Sequence, residues 1–193
     1  MNEYDKWFSR EGEDRYIRLR KEVQKRLGRE RQETDSTVCR QIYEGLAQEA
    51  SRIYLPVRER VRIGRRIFYA LRGLDILQPL LEEEEITEIM VNGPDHIYVE
   101  YRGKMIRTKG HFENLQRLED VIQQIVGSIN RRVNEANPIV DARLADGSRV
   151  NVILPPVALN GPILTIRKFR KDPIRVKDMI HWGTFTEEAA DFL

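Results

Sequence analysis

Four cations, Arg143, Arg149, Arg167 and Lys168, punctuate the stretch from Asn137 to Phe169, where apolar and polar residues otherwise alternate. A guanidinium is a rigid fork of N–H donors that matches carboxylate and phosphate oxygens. Held on neighbouring β-strands and turned to one side, such groups would make a face that meets an anion. The chemistry available to them is charge stabilisation, so their value depends on whether the backbone brings them together.

The hairpin that would do so can be worked out residue by residue. Asp146-Gly147 between two alternating runs is a strong short-range hairpin signal. A three-residue loop, Ala145-Asp146-Gly147, puts Gly147 in the left-handed position that glycine adopts without strain. Leu144 then faces Ser148, Arg143 faces Arg149 and Ala142 faces Val150. Ala142, Leu144, Val150, Val152 and Leu154 share an apolar face, and Asp141, Arg143, Arg149 and Asn151 share the other. A two-residue loop would mix the classes on both faces, so periodicity selects the longer one. The same register sets two arginines opposite each other, which is unfavourable by up to about 1 kcal/mol. Two offsets are open: Asp141 lying diagonally near, with water, or a bound phosphate. The run Ile163-Leu164-Thr165-Ile166-Arg167 reads as a third strand, whose Arg167 can instead pair with Asp141 or Asp172.

Bulk properties narrow the classes. In 193 residues, 40% hydrophobic and 33% charged, there is room for one large domain or two small ones of a globular type. No apolar run approaches the roughly 20 residues needed to span a bilayer, and the N-terminus lacks a signal-peptide core. Cys39 is the only cysteine and the 3 histidines are scattered, so neither a disulfide framework nor a metal spacing is visible. The cytoplasm is the default compartment. A net charge of +2 hides an asymmetry: residues 1–73 hold 18 lysines and arginines against 12 acids, and the remainder 15 against 19. A basic helical half could touch nucleic acid or an anionic membrane. Its acids are interleaved with its bases, which favours a solvated surface laced with ion pairs.

Helical spacing predicts three helices over residues 13–29, 35–54 and 56–71, with Gly28 and Gly73 as stops and Asp35, Ser36 or Thr37 capping the second. The third would bury Val57, Val61, Ile63, Ile67 and Leu71. A short helix over 74–81 leads into Glu82-Glu83-Glu84-Glu85, read as a solvated connector. A strand meander follows over 86–91, 97–101 and 105–107. Asn114 caps a helix that buries Leu115, Leu118, Val121, Ile122, Ile125 and Ile129 and closes at Arg131-Arg132. Two short helices, 173–180 and 186–193, end the chain. The expected class is α+β: a three-helix bundle, then a mixed or antiparallel sheet packed on a central helix. The expected divisions are a helical extension over 1–73, the α+β domain over 74–180, and the truncated start of a linker or ATPase domain over 181–193.

The series Ile86-Thr87-Glu88-Ile89-Met90-Val91-Asn92-Gly93-Pro94, Arg131-Arg132-Val133-Asn134-Glu135, Pro138-Ile139-Val140-Asp141-Ala142-Arg143-Leu144, Asp146-Gly147-Ser148-Arg149-Val150-Asn151, Pro155-Pro156 and Thr165-Ile166-Arg167-Lys168-Phe169 resembles the PAS-like N-terminal domain of type II/type IV secretion ATPases. It looks most like the CpaF-type motors of tight-adherence (Flp) pili. The resemblance runs from about Leu74 to Leu193, with several motifs in family order, and implies a hexamer that uses ATP and Mg2+. In it Arg143, Arg149 and Arg167, with Lys168 a weaker candidate, reach the phosphates of nucleotide held by the chain's own C-terminal ATPase domain. The implied partners are inner-membrane platform proteins, and the implied location is cytoplasmic, peripheral at the inner face of the cell membrane.

A motor also needs Gly-x-x-x-x-Gly-Lys-Ser/Thr to cradle phosphates. The only Gly-Lys pair here, Gly103-Lys104, is followed by Met105 in an expected hairpin. The expectation is therefore the front portion of a longer protein, inert alone, with no bound cofactor. The alternatives are a stand-alone adaptor and a nucleic-acid module using the basic half. The latter needs stacking aromatics beside the cations, which are not evident.

Overall fold

The computed structural model describes residues 13–27, 34–169 and 175–192. Three helices come first: α1 (Glu13–Arg26), α2 (Asp35–Arg52) and α3 (Val57–Arg72). Their apolar stripes meet in one core, with Tyr16, Leu19 and Val23 of α1 against Val38, Ile42 and Leu46 of α2 and Ile63 and Ile67 of α3. The cap of α2 is Thr34, one residue ahead of the expected trio, and its side chain accepts from the Thr37 amide. Gly73 closes α3 as expected. The proposed stop at Gly28 lies outside the described residues. Val57 and Val61 depart from expectation: both are more than half exposed.

A single 3-10 turn (Asp75–Leu77) and the short α4 (Gln78–Glu82) lead to the sheet. Ile76, Leu77 and Leu80 already belong to the second core, that of the α+β unit. The glutamate run is more committed than a solvated connector. Glu82 accepts from the Tyr69 hydroxyl at 2.6 Å, and the Glu83 carbonyl accepts from Lys168 Nζ at 2.5 Å. Glu85 takes hydrogen bonds from Tyr101 and Arg102, which hold its carboxyl below the usual range.

Six strands follow: β1 (Ile86–Asn92), β2 (Ile97–Tyr101), β3 (Lys104–Arg107), β4 (Ile139–Arg143), β5 (Arg149–Ile153) and β6 (Ile163–Arg167). They form one sheet in the order β3-β2-β1-β6-β5-β4. Every neighbouring pair is antiparallel, so the sheet is not mixed. Alternation turns Ile89 and Val91, Ile97 and Val99, Val150 and Val152, and Leu164 and Ile166 to one side. The helix α5 (Leu115–Ser128) lies in that same core through Leu118, Val121, Ile122 and Ile125. Asn114 caps it, accepting from the Arg117 amide. Ile129 packs at the edge of the core, but Leu115, in the open first turn, is exposed rather than buried as expected. The helix stops at Ser128, short of Arg131-Arg132, because Asn130 adopts a left-handed conformation (φ 55°) that no helix continues through. Two short helices, α6 (Val176–His181) and α7 (Glu187–Phe192), complete the described chain.

The bundle and the sheet unit meet along a charged seam. Arg117 binds the buried Asp75 carboxylate and donates to the Ala70 carbonyl at 2.6 Å. Arg20 of α1 pairs with Glu113 beside α5. The Arg66 guanidinium lies 3.9 Å from the centroid of the buried Tyr16 ring. Burial, with Asp75 nearby, pushes the Tyr16 hydroxyl up to about 12.

Candidate functional site

The β4–β5 hairpin has the register read from the sequence. Arg143 stands opposite Arg149, and Ala142 opposite Val150. The Leu144 amide donates to the Ser148 carbonyl at 2.8 Å, and the Gly147 amide closes the loop onto Leu144 O at 3.0 Å. Gly147 sits at φ +87°, and a Cβ there would stand 3.2 Å from the Phe169 ring. The backbone conformation therefore favours glycine, and any side chain there would also have to push the exposed Phe169 ring aside by a few tenths of an ångström.

The third strand completes the row, since β5 pairs with β6 so that Arg149 stands opposite Arg167. Arg143, Arg149 and Arg167 thus occupy consecutive cross-strand positions on β4, β5 and β6, on the face away from α5. Two strand spacings separate the outer pair, about 10 Å between Cα positions. The row continues onto β1 and β2 with Glu88, opposite Arg167, and Glu100, opposite Glu88. One line across the open face therefore changes sign from cationic to acidic at the β6–β1 boundary.

The three guanidinium groups differ in their commitments. Arg149 binds Asp141 in a two-pronged contact, Nε to Oδ1 at 3.0 Å and Nη2 to Oδ2 at 2.6 Å. That hydrogen bond holds the Asp141 carboxyl below its usual value and pushes Arg149 up. This is the diagonal carboxylate that relieves the facing arginines. It does not exhaust Arg149, because a guanidinium has five N–H donors and Asp141 engages two. Arg167 lies 3.5 Å from Glu88 and is 68% exposed along its side chain. Asp141 is thus not its partner, and Asp172 lies outside the described residues. Arg143 makes no hydrogen bond or ion pair among the described residues. Lys168 points elsewhere, donating to Glu83 O, and the structure does not bring it into the row.

Sequence reasoning missed Glu88. The β1–β6 pairing joins segments about 75 residues apart with no turn between them, and no local pattern announces it. The polar clasp beside the row was also missed. Ser148 Oγ donates to Asp146 Oδ2 at 2.9 Å and accepts from the Phe169 amide at 3.1 Å. It ties the loop of one strand pair to the end of the next.

Gly103-Lys104 lies at the β2–β3 hairpin, with Gly103 at φ +73° and Lys104 exposed as the first residue of β3. It is a tight turn, not a phosphate cradle. Among the described residues no three His, Cys, Asp or Glu side chains gather where they could hold a metal ion. No helix among them is long and apolar enough to cross a membrane.

Comparisons with known proteins agree with this architecture. A solved structure of the VirB11 ATPase from the Brucella suis type IV secretion system, in complex with sulphate, superposes with a TM-score of 0.51 at 23% identity. The match covers 56% of this chain and 34% of that one, and it shows a shared fold. An uncharacterized protein of Methanocaldococcus jannaschii is 34% identical over 167 residues, 80% of this chain and 30% of the relative. A putative conjugal transfer protein of Mycobacterium tuberculosis is 30% identical over 106 residues, 52% of this chain and 30% of the relative. The chain thus spans only about a third of the length of each of these proteins. The family model described as type II/IV secretion system protein matches residues 70–193, the whole of the sheet and everything that follows it, and the chain belongs to that family.

Proposed function

We propose that this chain is the N-terminal coupling domain of a hexameric secretion or pilus-assembly ATPase of the CpaF type. In that reading Arg143, Arg149 and Arg167 close on the phosphates of ATP held by a C-terminal motor domain of the same protein. The observation that carries it is the single cross-strand row of three arginines on an exposed sheet face. Three cations on a hydrogen-bonded scaffold cost little to reorganise as charge develops on a transferring phosphoryl group, and that preorganisation is what lowers the barrier. Guanidinium groups supplied to such a reaction are worth roughly 10³–10⁵ in rate. Arg143, without a partner among the described residues, is the first to engage. Arg149 arrives oriented by Asp141, and Arg167 exchanges Glu88 for phosphate. Lys168 braces the start of β1 through Glu83 O. Among the described residues no side-chain set suits Mg2+, and no step assigned to this chain runs through it. Domain closure on ATP and release after hydrolysis would pass the nucleotide state to inner-membrane platform proteins, with the motor peripheral at the cytoplasmic face.

The chain alone is expected to grip phosphate weakly. A few charged hydrogen bonds at about 1.5–3 kcal/mol each barely match an association cost of about 4–15 kcal/mol. Titration of residues 1–193 with inorganic tripolyphosphate, followed by NMR of the arginine Nε–H groups, should show millimolar binding that moves Arg143, Arg149 and Arg167 together, without ATP turnover. Micromolar affinity, or shifts confined to other arginines, would overturn the proposal.

A further inference from the structure

The exposure of Val57 and Val61 has a geometric cause. The core of the bundle uses Val38, Ile42 and Leu46 of α2 and Ile63 and Ile67 of α3, the stripes that face α1. One residue further along each helix, about 100° round its axis, lies a second apolar stripe. Tyr43 and Ala47 of α2 and Val57, Val61, Gly64 and Phe68 of α3 line a groove of about 520 Å³ between the two helices. Among the described residues α1 contributes nothing to this lining. Val57 is 67%, Val61 56% and Tyr43 74% exposed. The α3 stripe has the i, i+4, i+7, i+11 spacing of a helix-packing seam, yet no helix of the described chain lies on it. At its middle Gly64 lets α2 come close, since a Cβ there would stand 3.2 Å from Leu46.

The charge around the groove is one-sided. α3 carries six arginines and one glutamate. Arg60 borders the groove with its Nε buried and without a hydrogen-bond partner, and it makes no ion pair among the described residues. Buried N–H groups are normally satisfied, so an acceptor is expected on whatever covers this one. We propose that the α2–α3 groove is the docking site for one amphipathic helix of a partner protein, apolar along one face and bearing a carboxylate that reaches Arg60. From Val57 to Phe68 the seam is about 17 Å long, three turns of an incoming helix. Lying in the groove, that helix would complete a four-helix arrangement with α1, α2 and α3. The groove is concave and a membrane surface is not, which favours a helix over lipid.

Two synthetic peptides of about 14 residues test this, each with leucines at i, i+3, i+4 and i+7 to match the seam spacing. One carries glutamates on the polar flank and the other lysines. Titrated into residues 1–193, the glutamate peptide should shift the NMR signals of Tyr43, Val61 and Phe68 and bind at least about tenfold tighter than the lysine peptide. Val61→Asp, and independently Tyr43→Ser, should abolish that binding with the melting temperature of the chain unchanged. Arg60→Gln should erase the preference between the peptides. Equal affinities, shifts outside the groove, or binding that survives Val61→Asp would overturn the proposal. So would three other occupants. These are a second copy of the chain, read as concentration-dependent groove shifts with a doubled mass by light scattering; lipid, read as groove shifts caused by phosphatidylglycerol vesicles but by neither peptide; and the chain's own N-terminal segment, which carries Trp7-Phe8, read as groove shifts on Trp7→Ala in the unliganded chain.

Discussion

In the seam between the bundle and the sheet unit, Arg20 and Arg117 keep only 12% and 22% of their side-chain surface exposed, and each is matched to a carboxylate. On the open sheet face Arg149 and Arg167 keep 62% and 68%, and Arg143 has no partner among the described residues. The residue type is the same and the commitments are opposite. The seam guanidinium groups are themselves largely covered, and Arg117 satisfies a carboxylate that water hardly reaches, so removing it strands a buried charge. Row arginines stand in water, where an ion pair is worth little, so an incoming anion can take them. Burial and partner geometry, more than the presence of arginine, separate a structural cation from one available to a ligand.

The sharpest way to break this comparison is Arg117→Ala. It leaves the Asp75 carboxylate, 9% exposed, without its guanidinium, and the Ala70 carbonyl without its donor. Removing one partner of a buried pair costs about 3–5 kcal/mol. With Arg117 itself partly exposed, the lower end applies, which for a chain of this size is a fall of roughly 6–12 °C in melting temperature. Calorimetric melting measures it. A loss no larger than that of a row arginine would erase the distinction between the two regions.

Arg143→Ala is the complementary cut. Nothing in the described fold depends on that side chain, so stability should stay within about 0.5 kcal/mol. In the motor proposed above, however, ATP hydrolysis should fall at least about tenfold, a barrier change of about 1.4 kcal/mol. Steady-state turnover of the assembled enzyme reads this directly. Unchanged turnover with unchanged assembly would remove Arg143 from the proposed phosphate grip and leave the row an ornament of the sheet.

What could be read beforehand follows the range of the interactions. The β4–β5 hairpin was legible because alternation and a single Gly147 decide both loop length and register locally. That register left two offsets open for the facing arginines, and the Asp141–Arg149 contact is the one the structure contains. The partner of Arg167 was not legible. Glu88 reaches it only because β1 enters between β2 and β6, a non-local pairing that leaves no periodic trace in either strand. Val57 and Val61 failed for a related reason. Their spacing reports an apolar stripe correctly, but a helix can carry two stripes, and a single sequence does not say which one its own chain covers. The end of α5 turned on one backbone angle at Asn130, which outweighed the helix-terminal preference of Arg131-Arg132.

The smallest expected effect is also the most selective probe of the row. Arg149 holds the Asp141 carboxyl below its usual value, so the pair contributes stability that is complete above the unfolded carboxylate pKa, about 3.9. The contribution is lost as pH falls through the lower folded value. Both groups are exposed, so the loss is slight, and Asp141→Asn should remove only that small acid limb from a plot of stability against pH. The same substitution takes one negative charge from beside the arginine row. At neutral pH the millimolar tripolyphosphate affinity of the chain should therefore rise, by less than about tenfold, because the charge removed is solvent-screened. In the seam the sign reverses: Asp75→Asn removes a carboxylate that Arg117 needs, with no anion waiting to replace it. If Asp141→Asn instead weakened tripolyphosphate binding, the orientation Asp141 imposes on Arg149 would outweigh the charge it places there. The row would then be a preassembled site in which the carboxylate is a working part.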